Sequence, residues 1–293
     1  MKFVNLIQYK KNNYSQCGED GLIEKLLELL GDDDLNNFFV EFGAHDGKTN
    51  SNCFNLLENH EYKGLMIEPD QKRFKKLKLV QKKFNKELLV DDSFISISGK
   101  NSLDNILSNY NVNRTFDLLS IDVDGIDYHI WNSLTYFKPK IVIIEYNPTF
   151  PNEFHYVTPK SLTIRHGSSA SALISLGNEK GYTPVAITDT NLFFLENSLF
   201  GSLSLKRLDL KTDRDDQASK IFVSVGYNGE LIYSQKIINL VWHDYLQLKS
   251  SNLQLLPKSL QNFPEDYGFI RLVWFSVLKK YYKLKGFIKR IFE

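Results

Sequence analysis

The sequence predicts an α/β protein built on a parallel-rich sheet with helices between its strands. Three observations carry that expectation. Short runs rich in aliphatic and aromatic residues recur near 38–42, 64–67, 88–90, 116–121, 140–145, 182–188 and 191–195. Segments with apolar residues at helical spacing separate most of these runs. Several runs end in an acid, a glycine turn or both, and ligands of open α/β sheets bind beyond such strand ends.

The first run organises the rest. Phe38-Phe39-Val40 suits a strand buried on both faces, and Glu41-Phe42-Gly43-Ala44-His45-Asp46-Gly47 follows at once. Gly43 and Gly47 can take positive φ and let backbone approach a ligand closely. Gly64-Leu65-Met66-Ile67 then reads as a second buried strand ending at Glu68-Pro69. Strand, glycine turn, helix, strand, acid is the order in which Rossmann-type units hold a nucleoside. The turn meets the ligand's polar tail, and the second acid takes the ribose hydroxyls. The glycine spacing is not G-x-G-x-x-G, which favours a smaller nucleoside such as S-adenosylmethionine over a dinucleotide. Glu41, Gly43, Asp46, Gly47, Glu68 and, at the fourth strand's exit, Asp122 are the expected contacts.

Ahead of this unit, Leu22 to Leu30 has helical spacing and Gly31 marks its end. The polar segment Tyr14 to Gly21 either leads into that helix or closes over the cofactor. Gln71 to Lys86 reads as an amphipathic helix with Phe74, Leu77 and Phe84 inward and its lysines solvated. A third strand, Leu88-Leu89-Val90, ends at Asp91-Asp92, where Asp92 is in reach of an adenine amino group. After a helix over 102–110, the fourth strand leaves through Ser120-Ile121-Asp122-Val123-Asp124-Gly125. Asp127 opens the next helix near the positive end of its dipole. The fifth strand, Lys140 to Glu145, runs into Tyr146-Asn147-Pro148 and a loop from Thr149 to Ser169 carrying His155, Arg165 and His166. A helix over 170–180 and two closing strands complete the sheet.

Glu41, Glu68, Asp122, Glu145 and Asn147 all lie at strand ends and should converge on one crevice. That is more carboxylate than a nucleoside needs. Asp122, Asp124, Glu145 and His166 offer oxygen and imidazole ligands to Mn²⁺ or Mg²⁺, which would lower the pKa of a bound hydroxyl. Without a metal, Asp122 or His166 serves as general base, with Glu145 beside it. The competing reading is structural: Asp124 and Asp127 cap the following helix, and Asn147 holds a turn. His45 and His129 read as ordinary polar residues and His60 as a surface one.

Composition narrows the function classes. The 293 residues are 42% hydrophobic with a net charge of +1, so a full core is expected and no global field favours nucleic acid. Cys17 and Cys53 show neither metal-ligand spacing nor a disulfide framework, which suits a reducing, cytoplasmic setting. Met1 to Tyr14 has too short an apolar run for a signal peptide.

With those residues in hand, the chain resembles the FkbM-like family of class I S-adenosylmethionine-dependent methyltransferases. Val40 to Gly47 resembles the family's cofactor loop, and Ile67-Glu68-Pro69 its ribose-binding strand end. Ser120 to Asp127 is similar to the fourth-strand motif, with Asp124 where the family often has Glu. Gly181-Tyr182 and Leu192-Phe193-Phe194 resemble the closing strands, and Ser15 to Gly21 the lead-in of a subgroup. The likeness spans about Tyr14 to Leu195. It implies a seven-stranded Rossmann-like methyltransferase sheet with helices on both faces over residues 1–200, and methyl transfer to an oxygen on a sugar or glycan substrate. N-methylation, another small metabolite as acceptor, a non-catalytic partner in glycan assembly and an NAD-dependent enzyme are the rival readings.

Residues 201–293 read as an appendage with a short β hairpin, turning at Asn228-Gly229, and a terminal basic helix. From Phe269, an apolar block is followed by lysines interleaved with aromatic and aliphatic residues. Such a helix suits peripheral contact with an anionic membrane. Its alternative is docking on its own domain or on a second subunit of a homo-oligomer.

Overall fold

The computed structural model describes residues 3–235, 237–240, 243–247, 256–261 and 264–292, with the side chains of 238–240, 243–247, 264 and those beyond Leu284 outside the description. The chain forms two compact units, Met1–Ser219 and Lys220–Glu293. Residues 203–219 therefore belong to the first unit, although the composition changes near Phe200. Leu205 and Leu208 are buried there, and Leu205 bridges to Val4.

In the first unit, strands β1 (Phe38–Phe42), β2 (Lys63–Ile67), β3 (Leu88–Asp91), β4 (Leu118–Ile121), β5 (Ile141–Glu145), β6 (Tyr182–Ile187) and β7 (Asn191–Glu196) make one sheet in the order β3-β2-β1-β4-β5-β7-β6. The first five are mutually parallel, and β7 runs antiparallel between β5 and β6. This is the expected seven-stranded, Rossmann-like α/β sheet. Helices α1 (Glu19–Leu30), α2 (Phe54–Asn59), α3 (Gln71–Phe84), α4 (Leu103–Asn109), α5 (Asp127–Ser133), α6 (Ala170–Glu179), α7 (Asn197–Ser202) and α8 (Leu210–Asp213) accompany it.

Strand residues alternate faces, so each central strand feeds two cores. Val40, Phe42, Leu65, Ile67, Leu119 and Ile144 pack with α4, α5 and α6, around the fully buried Trp131. Phe39, Met66, Leu118 and Ile143 pack on the other face with α1, α2 and α3. Phe74 and Leu77 are the inward residues of α3; Phe84 is only half-buried. At the opposite end of the sheet, buried Asp117 accepts from the N–H groups of Asn36 and Asn37 and pairs with Lys140 at 2.6 Å.

The second unit holds a hairpin of β8 (Val223–Val225) and β9 (Leu231–Tyr233), turning through Gly229 at φ 78°, and a second antiparallel pair, β10 (Ile237–Leu240) and β11 (His243–Gln247). A long helix, α9 (Phe269–Phe292), follows and runs unbroken through Gly286. No described helix is long and apolar enough to cross a membrane.

Close strand packing sets one stringent position. Gly64 of β2 stands opposite Phe39 of β1, and a Cβ on it would come within 2.3 Å of the Phe39 ring. Gly64→Ala should lower the unfolding free energy by about 1–3 kcal/mol, the scale of an overpacked core, as read from urea denaturation.

Candidate active site

The register of the four central strands puts the predicted acids on one line. Phe42 pairs with Ile67 and with Ile121, and Ile121 pairs with Ile144. The next residue on each strand is therefore Glu68, Gly43, Asp122 or Glu145, all directed to the α1–α3 face. Gly43, at φ 70°, is required here because a Cβ would lie 1.6 Å from the Asp122 carbonyl. Its place between Glu68 and Asp122 leaves a slot without a side chain.

Glu68 is buried and held by two backbone donors. His45 N donates to Oε2 at 2.9 Å and Asp70 N donates to Oε1 at 2.8 Å. Each oxygen keeps further acceptor capacity. Glu41 lies one layer deeper, where Ser51 Oγ donates to Oε2 at 2.6 Å and Asn52 N to Oε1 at 2.8 Å. Burial pushes its carboxyl up to about 7 despite those donors. Glu41 thus braces the 51–53 turn beneath the crevice. Asp46 likewise organises its own turn, accepting from Lys48 N, Thr49 N and Thr49 Oγ1. Gly47 packs toward Leu77 of α3, and Asp92 is exposed with Gln71 donating to it at 3.1 Å.

At the β4 exit, buried Asp127 accepts from Val123 N and Gly125 N, both at 2.9 Å, and folds the chain back on itself. Asp124 takes a left-handed φ of 54° in that turn. One carboxylate oxygen each from Asp122, Asp124 and Glu145 lies within 4.8 Å of the others. Burial, with repulsion from Asp127 and Asp124, raises the Asp122 carboxyl to about 8. Burial and the neighbouring Asp122 hold the Glu145 carboxyl well above the usual range. His166 does not join the three acids. Its ring Nδ1 shares a 2.7 Å hydrogen bond with the Tyr156 hydroxyl instead. The expected four-ligand set is therefore corrected to three carboxylates.

Residues 148–169 drape over this edge. Asn147 Nδ2 donates to the His166 carbonyl at 2.7 Å, and Arg165 Cα lies 2.9 Å from where a Gly125 Cβ would be. Phe150 and Tyr156 have ring centroids 4.9 Å apart, and Phe154 and Tyr156 are stacked with planes 7° apart. Arg214 anchors the loop's start, donating to the Phe150 and Pro148 carbonyls and lying over the Tyr146 ring.

The lead-in segment reaches the same edge. Buried Glu19 accepts from Thr188 Oγ1 at 2.6 Å and Asn191 Nδ2 at 3.1 Å, beside the β6–β7 turn, and from Cys17 N at 2.7 Å. Asp20 Oδ2 gathers the N–H groups of Asn13, Tyr14 and Ser15, whereas its Oδ1 is buried without a hydrogen-bond partner. Burial and the charge of Glu19 push the Cys17 thiol up, so it stays protonated. Sequence reasoning did not single out Glu19, Asp20 or Arg214. An acid pair directly after a glycine at a helix start was the available signal.

No known family profile matches the chain, and no curated protein matches it. Solved structures do overlap it. A Klebsiella pneumoniae protein, provisionally assigned as an O-methyltransferase, is 12% identical, with 66% of this chain and 86% of that one aligned at a TM-score of 0.41. An S-adenosylmethionine-dependent methyltransferase from Clostridium acetobutylicum ATCC 824 is 12% identical over 61% of this chain and 90% of its own, at 0.39. One from Aquifex aeolicus is 10% identical over 59% and 87%, at 0.36. These are partial overlaps at low identity, and the fold assignment rests on strand order and direction alone.

The buried Glu41 carboxyl has a pH signature. Its folded value of about 7 exceeds the ordinary one, so its contribution to stability is complete below about pH 4.5 and is lost as pH rises through 7. Between pH 5 and 8 the wild type should lose about 2–3 kcal/mol relative to Glu41→Gln, which mimics the protonated acid. Urea denaturation of both proteins across that range measures the difference.

Proposed function

We propose that the chain is an S-adenosylmethionine-dependent O-methyltransferase acting on a hydroxyl of a sugar or surface-polysaccharide intermediate in the cytoplasm. The line Glu68, Gly43, Asp122, Glu145 carries this reading. One acid is disposed for a vicinal diol, an acid pair for an acceptor hydroxyl, and only glycine stands between them.

The residues present fit the cofactor. Glu68 has backbone donors to fix it and acceptor capacity left for two ribose hydroxyls. Asp20 Oδ1, buried without a partner and close enough to Glu41 to raise its carboxyl, suits an ammonium group. Asp46 of the glycine turn would repel a pyrophosphate, which argues against a dinucleotide. When bound, S-adenosylmethionine supplies an electrophilic methyl group on a sulfonium sulfur. The chain's own part is alignment, exclusion of water and removal of one proton. Asp122, with a carboxyl near 8, is a stronger base than an ordinary carboxylate and takes the acceptor's hydroxyl proton.

Two observations support the sugar acceptor. Phe150, Phe154 and Tyr156, on the loop that follows β5, offer flat apolar faces for the C–H side of a sugar ring. The three carboxylates at the β4 and β5 exits also suit Mn²⁺ or Mg²⁺, which would lower the pKa of the acceptor hydroxyl.

Calorimetry tests the cofactor first. S-adenosylhomocysteine should bind and NAD should not, and Glu68→Ala should weaken binding by about 1–3 kcal/mol, the scale for a lost charged hydrogen-bond partner. Binding of NAD alone would overturn the reading.

Methyl transfer from labelled S-adenosylmethionine to sugar acceptors tests the base. Asp122→Asn should slow transfer by roughly 100-fold or more while S-adenosylhomocysteine affinity stays within about threefold. Loss of transfer with a chelator and its return with Mn²⁺ would assign the metal-assisted form. An undiminished rate in Asp122→Asn would remove that residue as the base.

A further inference from the structure

We infer that α9 is an interfacial anchor whose exposed apolar face lies in an anionic lipid surface. Along the helix, Phe275, Leu278 and Tyr282 are the partly buried positions, and the Phe275 ring meets that of buried Tyr267 at 5.7 Å. The face docked on its own unit is therefore accounted for. A second apolar face remains outside it.

That second face is broad and open. Phe269, Ile270, Val273, Trp274, Val277, Tyr281 and Leu284 share an arc of roughly 140° at 100° per residue. Phe269 and Ile270 are each 81% exposed, and Val277 and Leu284 are 58% and 59% exposed. The sequence repeats the same spacing at Phe287, Ile288 and Ile291. An apolar surface this continuous is rare on a monomeric protein without a binding role.

Charge selects the occupant. Between Phe269 and Phe292 there are seven lysines and arginines and no acid. Arg271, Lys279 and Lys283 lie outside the apolar arc, and Lys280 falls just inside its edge. A second copy of the same helix laid parallel would bring the like charges of residues 279–290 together, whereas anionic headgroups complement them. Trp274 and Tyr281 are amphipathic rings suited to the headgroup level. The helix is too charged to span a bilayer, so it lies along the surface rather than across it.

The test uses the full chain and vesicles of phosphatidylcholine with or without about one third phosphatidylserine, the range in which each basic residue near the surface counts. The wild type should co-sediment with the anionic vesicles and much less with the neutral ones. Val277→Glu should abolish that binding. Replacing Lys279, Lys280 and Lys283 together by Gln should weaken it on the order of 100-fold, about fivefold per charge. All four side chains are exposed or at a rim, and circular dichroism should match the wild type. Trp274→Ser provides an independent apolar variant. Equal binding to both vesicle types, binding unchanged in Val277→Glu and Trp274→Ser, or no binding at all would overturn the inference. So would a stable dimer that Val277→Glu splits in a chain that ignores vesicles.

Discussion

The parallel register of β2, β1, β4 and β5 is the constraint on which the rest of the molecule depends. Because side chains alternate, one choice of register assigns every apolar residue to a core and every terminal acid to a single face. A one-residue slip of β4 would turn Ile121 out of its core and bury Asp122 among the residues of α4 and α5. The two apolar layers therefore enforce the position of the carboxylates. They also sustain an arrangement the acids would not adopt alone, since burial and neighbouring acids both raise the carboxyls of Asp122 and Glu145 there.

That corner is a strained edge on a rigid base. Asp127 satisfies the backbone of the β4 exit turn, and Asp124 accepts a left-handed conformation there. The 148–169 segment closes over it, tied at one end by Arg214 and at the other by Asn147. Arg214 donates to two backbone carbonyls and to Asn152 Oδ1 and lies over the Tyr146 ring, which fixes the start of that segment.

Much of this was legible in the residues because the relevant signals are local. Buried strands announce themselves as short apolar runs, and Glu41, Glu68, Asp122 and Glu145 stand at the ends of such runs. What was not legible depends on partners far along the chain. Glu19 reads as an acid at a helix start, favourable to the dipole, yet its bonds go to Thr188 and Asn191. His166 has the right chemistry for a ligand, but loop geometry gives its ring to Tyr156. Arg214 falls where the composition turns polar, and only the fold brings it back to Pro148. Strands β10 and β11 lack the alternation that would have marked them.

The Glu19 contacts join residues 169 and 172 positions apart. During synthesis the lead-in segment leaves the ribosome first, and its partners emerge only after the six preceding strands. Until then Glu19 lacks these two partners, and the lead-in segment stays untied from the β6–β7 turn. A chain stalled before Asn191 would therefore lack both the strand between β5 and β6 and the bond from Asn191 to Glu19.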